Sequence, residues 1–112
     1  MIKETRPWGY YENILEGDKY KVKRIVINPD QAISLQLHDK RSEYWVIVEG
    51  EGIMTLGDYS FEVSPGVSLS IEKREIHRVK AKSFNQLVII ETQLGECSEE
   101  DIVRLQDEYG RG

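Results

Sequence analysis

The feature that most constrains this chain is its rhythm of short β-like stretches, each closed within a few residues by a turn signal. Alternation or β-branched enrichment marks Tyr20 to Ile27, Ala32 to His38, Tyr44 to Glu49, Ile53 to Leu56, Tyr59 to Val63, Val67 to Ile71, His77 to Lys80 and Leu87 to Thr92. Between them stand Asn28-Pro29-Asp30, Gly50-Glu51-Gly52, Gly57-Asp58 and Ser64-Pro65-Gly66. Strands that follow one another this closely leave no room for crossover helices. The pattern therefore predicts an all-β antiparallel sandwich or barrel. One helix is predicted near the end, from about Glu99 to Glu108, with Ser98 as cap, acids in the first turn, and Ile102 and Leu105 at helical spacing.

At 112 residues the chain suits one domain, 1–112, with one modest core. Charged residues make up 31% and apolar residues 39%, a globular balance, and no apolar run nears the ~20 residues of a membrane span. Neither a signal core nor a transit character marks the first residues, so a cytoplasmic location without membrane attachment is the expectation. Cys97 stands alone, which excludes an internal disulfide and fits a reducing compartment. The net charge of −5 argues against a nucleic-acid partner. Locally the balance differs: Lys19, Lys21, Lys23 and Arg24 share one segment, and Lys40 and Arg41 another, so a phosphorylated small molecule remains open as a partner.

Chemistry gathers around the first of the two histidines. In Ser34-Leu35-Gln36-Leu37-His38, Gln36 and His38 are two apart on a strand and face the same side, and Glu43 opens the next strand. A Gln, a His and a carboxylate meeting inside a barrel form a mixed nitrogen and oxygen site. Such a site suits zinc, manganese, iron or nickel and needs a further ligand from elsewhere.

The spacing Gln36-x-His38, four residues, Glu43, six residues, Gly50 resembles the first motif of the cupin superfamily, with Gln36 in the slot usually held by its first histidine. Gly66 and His77 match the glycine and histidine of the second motif, whose intervening proline and glycine are Glu72 and Arg74 here. The resemblance implies a double-stranded β-helix (jelly-roll) barrel holding one divalent ion, zinc first and manganese, iron, cobalt or nickel as alternatives, on Gln36, His38, Glu43 and His77. A lone histidine in an arbitrary chain is more often a surface or core residue; both histidines here fall in motif slots.

A narrower likeness runs through the whole chain. Arg6-Pro7-Trp8-Gly9-x-Tyr11, Tyr20 to Ile25, Leu35 to His38, Arg41 to Gly50, His77-Arg78-Val79, Ile90-Glu91-Thr92-Gln93-x-Gly95, Glu100 to Arg104 and Asp107-x-Tyr109-Gly110-Arg111 resemble, in order, segments of the type II mannose-6-phosphate isomerase domain. That domain often ends a bifunctional enzyme whose other part makes GDP-mannose. In 112 residues there is no room for that transferase, so the resemblance implies the isomerase half alone, interconverting mannose 6-phosphate and fructose 6-phosphate with a divalent metal.

Aldose to ketose isomerisation moves a proton between C1 and C2 while negative charge develops on oxygen, which a Lewis acid stabilises. Glu91, Lys23 and a metal-held water are the proton carriers the sequence offers. Arg41 is the first choice for the phosphate because its guanidinium fork matches phosphate oxygens, with Lys23 and Arg24 next, only one of which can face inward. Trp8, Trp45, Tyr10 and Tyr11 read as packing rather than sugar stacking. Family members carry further histidines where this chain has Asp39, Lys40 and Tyr44, departures expected to surround the active site. Two other readings stay open: a cupin enzyme acting on another sugar or sugar phosphate, and a sugar-binding cupin without catalysis. Cupins commonly pair through their N-terminal strands, which makes a homodimer the expected assembly.

Overall fold

A computed structural model describes residues 2–109 and forms eleven strands among them. They are β1 (Lys3–Arg6), β2 (Gly9–Glu16), β3 (Tyr20–Ile27), β4 (Leu35–Leu37), β5 (Arg41–Glu49), β6 (Gly52–Leu56), β7 (Tyr59–Val63), β8 (Ser68–Ile71), β9 (His77–Ala81), β10 (Leu87–Gly95) and β11 (Val103–Gln106). Two antiparallel sheets result, one ordered β1-β2-β3-β10-β5-β8 and the other β11-β4-β9-β6-β7. The expected all-β barrel is formed, and every predicted stretch carries a strand. β1 and β2 are additions: Lys3–Arg6 folds back on Gly9–Glu12, and β2 pairs with β3 in the same chain.

The period-2 alternation of β3, β5 and β10 sends one set of side chains between the sheets, and register aligns those sets in rows. Ile89 lies between Ile25 and Ile47, Glu91 between Lys23 and Trp45, and Gln93 between Lys21 and Glu43. Each of these nine residues is buried. The interior therefore grades from an apolar half, with Ile27, Met54, Val79 and Leu87 beside the isoleucines, into a polar end. Burying charge at one end costs free energy unless every group finds a partner, so that end is where a function would be expected to reside.

The predicted C-terminal helix is not there. Glu99 to Ile102 runs as irregular chain, and Val103–Gln106 pairs with β4 as β11, Val103 opposite Leu37 and Arg104 opposite Gln36. Three contacts outweigh the local helix signals: the Asp101 carboxylate accepts the backbone N–H groups of Asp39 and Lys40, both at 2.9 Å, and its carbonyl meets His38 Nδ1 at 2.6 Å. A ten-residue helix is marginal without packing, whereas the free edge of β4 offers hydrogen bonds at once. No helix among the described residues is long and apolar enough to cross a membrane.

The motif turns hold by different means. Gly50 has φ 82°, and a Cβ there would lie 1.9 Å from the Gln86 carbonyl oxygen, so only glycine fits. In the second motif Arg74 occupies the glycine slot yet keeps the left-handed turn, at φ 66°, with its N–H donating to the His38 carbonyl at 2.7 Å. Its guanidinium is exposed and pairs with Asp39. Arg74→Gly is predicted to stabilise the fold by about 0.5–1 kcal/mol, the left-handed penalty of a side chain less the added chain entropy of glycine. Urea melts check this; an unchanged or lower midpoint contradicts it.

Candidate metal centre

Both sheets contribute to the polar end. Gln36 on β4 lies directly opposite His77 on β9, His38 follows β4, and Glu43 projects from β5 of the facing sheet. His38 Nε2 is 3.2 Å from Glu43 Oε2, and His77 Nε2 is 3.9 Å from Glu43 Oε1. The ligand atoms of these three residues all lie within 4.8 Å of one another, so the cluster could hold a metal ion. Gln36 stands beside them, its Nε2 3.3 Å from His38 Nε2 and its Oε1 accepting from Ser34 Oγ at 2.7 Å.

The imidazoles are oriented in the way metal-binding histidines are. Each turns Nδ1 to a backbone carbonyl, His38 to Asp101 and His77 to Glu75 at 3.0 Å, which fixes the tautomer and leaves Nε2 as the inward lone pair. Burial lowers both histidines, His38 to about 4, so both are neutral and ready to ligate at pH 7. Fully buried His77 Nε2 has no hydrogen-bond partner. A buried acceptor left unpaired costs about 1–3 kcal/mol, and a divalent ion would satisfy it. Two neutral imidazoles and a carboxylate fit zinc and its borderline neighbours.

Glu43 is enclosed by donors: Arg41 Nε reaches Oε2 at 2.8 Å and Trp45 Nε1 reaches Oε1 at 3.1 Å. Burial alone would raise its pKa, but His38, His77 and Arg41 outweigh that and hold it below the usual carboxylate range. Glu91 shows the reverse. Burial first, then the Glu43 charge, push it up to about 8 despite Lys23 and Arg41, and Gln93 Nε2 donates to its Oε1 at 2.5 Å.

A cavity of about 100 Å³ adjoins this cluster, lined among others by Gln36, His38, Arg41, Glu43, Lys23 and Glu91. Of the residues singled out from sequence, then, six line one cavity and His77 stands buried behind them. Arg24 does not join: it lies on the outer face of β3, bonded to Tyr10 and Glu12. Trp8, Tyr11 and Trp45 belong to the core, as expected, and their packed rings also form cavity wall. The departures at Asp39, Lys40 and Tyr44 do not surround the cavity. Asp39 and Lys40 are exposed, and Tyr44, 41% exposed, points outward from β5 between inward Glu43 and Trp45. Sequence reasoning missed Glu99, which closes the cavity by bonding Lys21 and Lys23. The clue was the shared parity of those two lysines, which places both ammoniums inside and demands an acid.

Comparison with known proteins agrees with this architecture. Among solved structures, CapF, the capsular polysaccharide assembling protein of Staphylococcus aureus, superposes with a TM-score of 0.81 at 16% identity, over 94% of this chain and 34% of its own. A cupin-2 domain from Rhodospirillum rubrum gives 0.72 at 17% identity, over 82% and 67%. The fold is that of a cupin. The mannose-6-phosphate isomerase C-terminal family matches residues 2–107, and the chain belongs to that family. The xanthan biosynthesis protein XanB of Xanthomonas campestris is 40% identical over 97% of this chain. The alginate biosynthesis protein AlgA of Pseudomonas aeruginosa is 38% identical over 95%, and mannose-1-phosphate guanylyltransferase 2 of Escherichia coli O157:H7 is 34% identical over 93%. The chain spans 24%, 22% and 22% of the lengths of these relatives.

Two predictions follow from the buried groups. Zinc at about a hundred times its Kd should stabilise the protein by about 2.7 kcal/mol, and His77→Ala should remove that gain; a zinc-induced Tm rise that survives in His77→Ala contradicts the site. Metal-free protein should be most stable near pH 6.5. Below it the unfolded histidines, with an ordinary value of 6.5, take up protons the folded ones refuse, outweighing Glu91. Above it folded Glu91, titrating at about 8 rather than 4.5, must give up its proton at a cost the unfolded chain does not meet. Denaturant melts across pH 5–9 should show that maximum, with Glu91→Gln abolishing the alkaline fall.

Proposed function

We propose that this domain is a metal-dependent aldose–ketose isomerase interconverting mannose 6-phosphate and fructose 6-phosphate. The observation that carries the reading is the pairing, across one small cavity, of the His38–Glu43–His77 cluster with a buried carboxyl poised near neutrality, Glu91. Isomerisation needs a group that accepts a proton from C2 and returns it to C1, and a pKa near the working pH suits both halves of that exchange. His38, His77, Glu43 and Gln36 would hold a divalent ion, zinc first, which would supply Lewis-acid stabilisation of the negative charge developing on the C1 and C2 oxygens.

The chain's own residues do the rest. Ionised Glu91 takes the C2 proton of the open-chain aldose, leaving an enediolate, and the resulting acid delivers that proton to C1 while the O2 hydroxyl proton passes to O1, which completes the ketose. Gln93, donating to Glu91 Oε1, fixes which carboxyl oxygen faces the sugar. Arg41 holds Glu43 through Nε and is held by the Ser98 carbonyl through Nη1 at 2.9 Å, so it orients the carboxylate and adds positive charge near the reacting oxygens. Lys23, beside Glu91 on the neighbouring strand, opposes the upward shift of its pKa. The apolar row of Ile25, Ile47 and Ile89 beneath excludes water from the intermediate.

The reading carries with it a single domain, a cytoplasmic location and a homodimer, the last supported by the outer edge of β1, which pairs with no strand among the described residues.

Zinc-loaded protein should convert mannose 6-phosphate to fructose 6-phosphate in a coupled assay. Activity should rise with pH as Glu91 ionises, at a pH below the metal-free value of about 8 because a bound cation offsets the Glu43 charge, and Glu91→Gln should cost 10²- to 10⁴-fold, the usual worth of a general base. Metal binding without conversion overturns the isomerase in favour of a cupin that binds sugar phosphates or acts on another one. Conversion retained in Glu91→Gln moves the proton transfer elsewhere.

A further inference from the structure

Lys21 and Lys23 occupy successive inward positions of β3 and are 7% and 4% exposed, a depth at which lysine is seldom found without a paired anion. Both turn to a single atom, Glu99 Oε2, Lys23 Nζ at 2.5 Å and Lys21 Nζ at 3.4 Å. Lys21 also donates to the Cys97 carbonyl at 2.9 Å and lies 3.9 Å from the exposed Glu16 carboxylate, while Lys23 sits 4.0 Å over the Tyr11 ring. Glu99 itself belongs to no strand. Its side chain is 40% exposed, on the irregular stretch between β10 and β11 that forms one wall of the cavity. Two fixed, buried cations thus face one carboxylate that can rotate into solvent about its own side-chain bonds.

We propose that Lys21 and Lys23 form the subsite for a phosphate-monoester dianion, and that the Glu99 carboxylate is a built-in occupant which the incoming phosphate displaces. Charge supports this: once Glu99 swings out, the two ammoniums keep only the exposed and more distant Glu16 carboxylate, 3.9 Å from Lys21, and a dianion replaces the displaced charge more fully than a monoanion. Space supports it as well. The cavity, about 100 Å³ and partly open to solvent, is lined by Lys23 and Glu99, and outward rotation of Glu99 would widen it beside the lysines. Of the lining residues near the polar end, Glu99 is the acid with an open path to solvent. The assignment moves the phosphate from Arg41, whose guanidinium is committed to Glu43 and the Ser98 carbonyl, to the lysine pair. It rests on the sugar-phosphate reading above and adds to it an internal competitor that sets the affinity.

Binding to the full chain, zinc-loaded and metal-stripped, tests it by calorimetry with inorganic phosphate, mannose 6-phosphate and mannose. Glu99→Gln should tighten phosphate and mannose 6-phosphate at least tenfold. Lys21→Met and Lys23→Met should each weaken them at least tenfold, with mannose unaffected by all three. Glu99→Gln should also melt lower than the parent without phosphate and recover with it, because two buried cations then lack their partner. If Glu99→Gln binds phosphate no tighter than the parent, or a folded lysine variant binds it equally well, the subsite is refuted. A lysine variant that fails to fold leaves the decision to Glu99→Gln. These ratios do not depend on turnover, so an inactive protein that obeys them loses the isomerase and keeps the anion site.

Discussion

Burial of the Glu43 carboxylate is the interaction on which the polar half of this molecule depends. Removing such a charge from water costs several kcal/mol, and Arg41 and Trp45 offset part of it by donating to the two carboxylate oxygens, while the inward lone pairs of the two neutral histidines leave room for a cation to offset the rest. Arg41 is fixed in turn by the Ser98 carbonyl, His38 by Asp101 and His77 by Glu75. The stretch after β10, irregular as it is, is therefore tied to the barrel through the same network. Among the described residues at this end, His77 Nε2 and Gln93 Oε1 are buried acceptors without a hydrogen-bond partner, and a metal ion on the cluster would satisfy the first.

Both sheets are needed for that arrangement. Sheet pairing sets Gln36 against His77, while Glu43 comes from across the barrel, so the cluster exists only when the two layers are packed in register. Packing of Ile25, Ile47, Ile89, Met54 and Val79 supplies that alignment from the apolar half. A rigid dry base under a polar, partly open end is an arrangement suited to chemistry that must keep water from a reactive intermediate. Asp39, Lys40 and Tyr44 take no part in it, since Tyr44 lies on the outer face of β5 and Asp39 and Lys40 in an exposed turn.

Much of this was legible in the sequence where the signal was periodic. Two-residue parity put Gln36 with His38 and allowed only one of Lys23 and Arg24 to face inward; the barrel buries Lys23 and leaves Arg24 on the outer face. Motif spacing brought His77 to Glu43, and the turn before His77 survived the loss of its glycine because Arg74 accepts a left-handed backbone. What stayed hidden depended on partners distant in sequence. Val103–Gln106 carries helix signals that a free β4 edge overrides, and Glu99, read as part of that helix, is instead the acid that neutralises two buried lysines. Glu91 could be named as a candidate; its raised pKa follows only from the depth at which β10 places it.

The central claim, that this end of the barrel is built around one metal ion, is tested most directly by anomalous diffraction from crystals of zinc-reloaded protein. The account predicts a single strong site within bonding distance of His38 Nε2, His77 Nε2 and a Glu43 oxygen, with the Gln36 amide turned so that its oxygen faces the ion. Zinc found elsewhere, or an empty cluster under saturating metal, would contradict it and leave the buried histidines as structural residues alone.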